Sequence, residues 1–192
     1  NELCEIVADD QVSAARQVFY AKGGNQTTEE AAYIERSFEH KPGAGSGIYV
    51  FSFKVYPLSD SGAQQLPWFS LYSDGKKPVV QLVNYSGSFW LSEEGKAVNP
   101  SSPLMKITSK TWYAVQIVMD FSKDAHEVII QKLDANGKAI ETAKDRTLKK
   151  KEVTADNYPA RLVVEGTRIE NNTTVWVGGA YLDDLKLVCG KT

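Results

Sequence analysis

The segment Thr111–Phe121 alternates with a period of two. Tyr113, Val115, Ile117 and Met119 share one parity, and Gln116 and Asp120 share the other. Successive side chains of a strand point to opposite faces, so this pattern predicts a strand with one buried apolar side. Ile48–Tyr56 repeats it, with Tyr49, Phe51, Phe53 and Val55 opposed to Ser52 and Lys54. Aromatic and β-branched residues suit a pleated, half-buried surface. Shorter runs follow at Pro67–Ser73, Val79–Asn84, Phe89–Leu91, Glu127–Leu133, Lys138–Thr142, Arg161–Val164, Thr174–Val177 and Tyr181–Val188. Asp74–Gly75, Ser86–Gly87 and Asn136–Gly137 separate some of them, and glycine accepts the positive φ of tight hairpins. Many short strands with frequent turns predict an antiparallel two-sheet β-sandwich, not a βαβ fold.

The first 45 residues are less regular. Thr27 and Glu30 fit a capping box before an Ala-containing stretch, Tyr33–Phe38 alternates, and His40–Gly47 reads as a loop. The expectation is an all-β chain with at most one or two short helical turns. No repeat or linker divides its 192 residues, which suit one domain over 1–192.

A net charge of −2 supplies no field to recruit nucleic acid. Lys149–Lys151, flanked by Glu152, reads as a solvated edge. No apolar run approaches the ~20 residues of a membrane span. The chain starts at Asn1 without a signal-like segment and reads as a mature or trimmed product. Cys4 and Cys189 stand near the two ends, with no cluster of His, Cys or carboxylate partners at ligand spacing around either. They read as a disulfide between adjacent first and last strands, which requires Cα atoms within ~7 Å. Such a bridge implies an oxidising setting, so the expected location is secreted, periplasmic or cell-surface. Two free buried thiols are the alternative. Four sequons, at Asn25, Asn84, Asn171 and Asn172, matter only in a eukaryotic source.

Two segments carry a family resemblance. Trp112–Asp120 resembles the W-x-x-V-x-I-x-x-D strand of concanavalin A-like, laminin-G-type jelly rolls, and Tyr181–Leu187 is similar to their Y-x-D-D-v-x-l last strand. The likeness covers 31–188 loosely and implies a jelly roll. Many such domains bind glycans, and others are glycoside hydrolases or polysaccharide lyases. The implied partner is a polysaccharide or oligosaccharide, met by a domain that could belong to a larger secreted protein. In such modules a structural calcium ion often lies near the last strand.

Parity places Asp183 with Tyr181, Leu185 and Leu187 on an expected inward face. A buried carboxylate needs a partner, so Asp183 is the candidate calcium ligand, with bonding to backbone amides as the alternative. Trp68 and Tyr72 share a parity opposite Phe69 and Leu71, and would form a stacking platform for sugar rings if that face is open. Asn84, Tyr85 and Trp90 flank the next turn as further candidate glycan contacts. Trp112 and Trp176 read as structural.

A retaining hydrolase needs two carboxylates ~5–5.5 Å apart. The E-x-D-x-x-E motif of jelly-roll glucanases is missing, and the pairs Glu29–Glu30, Glu93–Glu94 and Asp183–Asp184 would point to opposite faces of a strand. A lyase needs a base and groups that neutralise a uronate carboxylate. Arg36, His40, Gln81 and Tyr85 are the candidates for that alternative. The chain departs from the jelly-roll alginate lyase patterns, since Gln81-Leu82-Val83 lacks their histidine.

Overall fold

The computed structural model describes residues 4–8, 17–21, 33–37, 48–58, 68–72, 78–92, 103–120, 123, 126–146, 161–165, 167–170, 173–176 and 180–190. The expected features at Thr27–Glu30, His40–Gly47, Asp74–Gly75 and Lys149–Lys151 lie outside them. The first strands are β1 (Cys4–Ala8), β2 (Gln17–Ala21), β3 (Tyr33–Ser37), β4 (Ile48–Pro57) and β5 (Trp68–Tyr72). Next come β6 (Pro78–Tyr85), β7 (Ser88–Ser92), β8 (Met105–Lys106), β9 (Tyr113–Asp120) and β10 (Glu127–Leu133). The last are β11 (Ala139–Asp145), β12 (Arg161–Glu165), β13 (Thr167–Glu170), β14 (Thr173–Trp176) and β15 (Ala180–Gly190). No helix occurs among the described residues.

Two antiparallel sheets make the sandwich. One is seven-stranded, β1-β2-β15-β4-β9-β10-β11, and the other six-stranded, β3-β12-β5-β6-β7-β8. β13 and β14 pair as a separate hairpin. The alternating residues of β4 and β9 face inward as their parity predicts: Phe51, Phe53, Val55, Tyr113, Val115, Ile117 and Met119 are all buried. The facing sheet supplies Phe69, Leu71, Val80, Leu82, Phe89 and Leu162. Phe53 meets Phe69 across the sandwich at 4.3 Å between ring centroids, and Phe89 meets Tyr113 edge-on at 5.2 Å. Burying each such ring contributes roughly 1.5–3 kcal/mol. The buried Tyr113 hydroxyl accepts the Thr108 N–H at 2.7 Å, which ties the loop after β8 to β9.

Two hairpins follow their turn chemistry. Ser86 and Gly87 both have positive φ, 50° and 74°, the two-residue turn that matches strand twist. At the β10–β11 turn Gly137 has φ of 79°, and the Asp134 carboxylate accepts the N–H groups of Asn136 and Lys138 at 2.9 Å each.

β15 departs from simple alternation. Leu182 pairs with Val55 and Asp183 with Lys54, but Lys186 pairs with Ser52 and Leu187 with Phe51. One extra residue is inserted on β15, and Asp184 takes φ of 52° there. Ala180 and Leu182 are therefore the core residues of this segment, and Leu185 is exposed. The expected inward row of Tyr181, Asp183 and Leu185 is corrected by this bulge.

The ends of the chain are also arranged differently from expectation. β2 lies between β1 and β15. Cys4 pairs with Ala21, which pairs with Ala180, whereas Cys189 pairs with Tyr49. Nine residues of strand, at about 3.3 Å each, span roughly 30 Å between the level of Cys4 and that of Cys189. A disulfide reaches ~7 Å between Cα atoms, so this register does not set the two cysteines side by side.

Candidate functional site

Because Phe69, Leu71, Val80, Leu82, Phe89 and Leu162 take the core side of the six-stranded sheet, the positions between them have the parity of its outer face. Strand pairing orders these positions in rows. One row runs Ser37–Arg161–Tyr72. The next runs Glu35–Val163–Ser70–Gln81–Ser92. Tyr33–Glu165–Trp68 is the third on that side, with Val83–Trp90 in register across β6 and β7. Tyr85–Ser88–Lys106 closes the series.

The centre of this face is withdrawn from solvent. Ser70 is fully buried, Gln81 and Val83 nearly so, and Trp90 keeps only 5% of its surface. An open flat platform therefore does not describe it. Inside it the Gln81 amide donates to the Ser70 hydroxyl at 3.0 Å. Buried polar groups need such partners, because losing one costs more than making the bond returns. At the margin, half-buried Tyr72 carries the Arg161 guanidinium 4.5 Å above its ring centroid. A guanidinium held there sets a fixed positive charge against an aromatic surface.

The expected site residues divide by register. Trp68, Tyr72, Gln81, Tyr85 and Trp90 all occupy the outer-face rows. Arg36 pairs with Leu162 and Asn84 with Phe89, which are core rows, so one residue of parity separates both from Gln81. His40 lies outside the described residues. Arg161 was missed by sequence reasoning. It opens an Arg-Leu-Val-Val run whose parity is ambiguous, and only the pairing with β5 brings it to Tyr72.

Asp183 lies on the other sheet. Its carboxylate accepts the Asp184 N–H at 2.7 Å. Asp184 pairs with Lys54 at 2.7 Å and stands 3.6 Å from Lys186. A divalent cation here would face two ammonium groups, and no group of three His, Cys, Asp or Glu among the described residues could hold one. A cavity of about 260 Å³ near Asp120, Lys123, Glu127 and Arg146 lies on the seven-stranded sheet, and its charges are matched in pairs.

No protein-family model matches the chain, and no curated protein matches it in sequence. Solved structures match it in shape. A cellulose-induced protein superposes with a TM-score of 0.60 at 11% identity, over 98% of this chain and 87% of that one. The GH131 β-glucanase catalytic domain from Podospora anserina gives 0.58 at 10% identity, over 98% and 80%. A protein of unknown function from Shewanella oneidensis MR-1 gives 0.52 at 12% identity, over 97% and 73%. The fold is a jelly-roll β-sandwich. Identities this low establish the fold alone. Within the jelly roll, the outer rows of the six-stranded sheet gather most of the aromatic and amide groups singled out from the sequence.

Proposed function

We propose that this chain is a carbohydrate-binding domain that recognises a polysaccharide or oligosaccharide on the outer face of its six-stranded sheet. The observation that carries this reading is Arg161 stacked on half-buried Tyr72, beside the row that holds the buried Gln81–Ser70 pair. Glycan recognition combines aromatic surfaces for the C–H faces of sugar rings with fixed donors and acceptors for their hydroxyls. Trp68 holds the same parity as Tyr72 at the other end of β5. The names of two similar structures, a β-glucanase catalytic domain and a cellulose-induced protein, support a glycan as the ligand. A polymer too large to cross a membrane is met outside the cell, so a secreted, periplasmic or cell-surface location accompanies this reading. The test is a panel of neutral and uronate polysaccharides scored for retention of the protein and for change in polymer length. Retention without shortening supports the binding reading. No retention on any polymer would remove it.

A second reading has its own observation. A lyase needs a base near a group that neutralises a carboxylate, and Tyr72 and Arg161 stand together at the margin of one face. In that reading Tyr72 takes the proton next to the uronate carboxyl group, Arg161 stabilises the enolate, and the glycosidic C–O bond breaks. The leaving oxygen takes that proton back from Tyr72, and an unsaturated uronate remains. New ultraviolet absorbance with a uronate polymer, lost in Tyr72→Phe, supports it. An unchanged spectrum across the panel excludes it.

A further inference from the structure

The β10–β11 turn carries a reactive dipeptide. Asn136 is the one asparagine of the chain that glycine follows. Asparagine is chemically labile, because the backbone nitrogen of the next residue can attack its side-chain amide carbon. A Cβ on that next residue hinders the approach, and glycine has none. Around Gly137 the approach is open: among the described residues no atom lies within 4 Å of where a Cβ would stand. Ala135, Asn136, Gly137 and Lys138 are all exposed, so water reaches the whole turn. The same turn holds the attacking nitrogen back. The Gly137 N–H donates to the Asp134 carbonyl at 3.0 Å, and the Asp134 N–H donates to the Lys138 carbonyl at 2.8 Å. The Asp134 carboxylate accepts the N–H groups of Asn136 and Lys138 at 2.9 Å each. Asp134 thus clasps the turn with four hydrogen bonds.

We infer that Asn136 is a site of spontaneous covalent modification, conversion to aspartate and isoaspartate, and that the Asp134 clasp sets its rate. The Gly137 nitrogen bonds to the Asn136 Cγ and gives up its proton, the Cγ–Nδ2 bond breaks, and ammonia leaves with that proton. Water then opens the cyclic imide. Cleavage of the Cγ–N bond leaves aspartate. Cleavage of the backbone C–N bond leaves isoaspartate, with the main chain running through the side chain. The net change is amide plus water to carboxylate plus ammonium. The nitrogen must leave the Asp134 carbonyl before it attacks, so the reaction goes through local opening of the turn. Both products place a second carboxylate beside Asp134, and isoaspartate adds one methylene to the backbone of the turn. Among the described residues β11 is the edge of the seven-stranded sheet and pairs with β10 alone. Loss of the clasp therefore loosens the adjoining end of this hairpin, where the register already shifts between Lys132 and Leu133.

The test is to age the unaltered protein in mildly alkaline buffer, native and in urea, and to map its peptides by fragmentation that separates aspartate from isoaspartate. A gain of one mass unit is expected at Asn136 before any other asparagine, with both products present and with faster conversion in urea than in the native protein. Asp134→Ala removes the two bonds to the carboxylate and should speed conversion of the folded protein by about tenfold, with a thermal melt to show that it is folded. The native-to-urea comparison carries the same test without any substitution. Amide hydrogen exchange on the separated native and converted forms should differ in β11 and agree in β9. No gain at Asn136 in the native protein by the time the urea sample has converted, or an earlier gain at another asparagine, overturns the site. Equal rates in the native protein, in urea and in folded Asp134→Ala overturn the clasp. Unchanged exchange in β11 overturns its consequence for the hairpin.

Discussion

The two outer faces of this sandwich solve the same problem in opposite ways. On the six-stranded sheet the polar groups at the centre are buried and bonded to each other, as Gln81 is to Ser70. On the seven-stranded sheet the polar groups are ion pairs at the surface, as Lys54 is with Asp184, and the aromatics beside them are half-buried. A buried polar pair is costly to disturb and holds one geometry, whereas an exposed pair is weak and tolerant. The first arrangement suits a defined site.

Changes to the shared core should affect both faces together. Phe53→Ala removes the ring that contacts Phe69 across the sandwich and should cost about 3–5 kcal/mol, read by chemical denaturation. A loss below about 1 kcal/mol would mean that the contact between the sheets carries little of the core's stability. The buried pair should behave asymmetrically. Ser70→Ala leaves the Gln81 amide without its hydroxyl partner and should cost ~1–3 kcal/mol, while Ser70→Ala with Gln81→Leu should be milder. Equal costs for the single and double changes would mean that the hydrogen bond is not what holds Gln81. Lys54→Met on the other face should change stability by less than about 1 kcal/mol, because its ion pair is 30% exposed on both sides. A larger loss in a thermal melt would mark that face as structurally committed too.

Cysteine labelling of the native protein sharpens the account of the ends. The register separates Cys4 from Cys189 by two strands and nine residues, so two reactive or denaturant-released thiols are expected. A mass showing an intramolecular bridge would require a different pairing of β1 and β2.

Much of the fold was legible because its strongest strands are amphipathic. Tyr113–Met119 and Tyr49–Val55 announce their buried sides, and Ser86–Gly87 and Asn136–Gly137 announce their turns. β1, β2, β8 and β13 were not delimited, since they are short and without marked alternation. Asp183 was turned to the wrong side because alternation counts residues, and a bulge adds one that no local pattern reveals. The candidate site was partly legible for the same reason. Trp68 and Tyr72 follow from their parity against Phe69 and Leu71. Arg161 comes from a strand far away in sequence, so its place beside Tyr72 depends on long-range pairing. Trp112, read as structural, stands in an aromatic row that forms only when β15, β4 and β9 are aligned.

The central claim is that the outer face of the six-stranded sheet is where a glycan is recognised. Affinity electrophoresis of the unaltered protein and of Trp68→Ala/Tyr72→Ala against the polysaccharide panel tests it most directly, with thermal melts to show that both are folded. The account predicts that at least one polymer retards the unaltered protein, and that the folded variant binds that polymer about tenfold or more weakly. Equal retardation of the two folded proteins would contradict it.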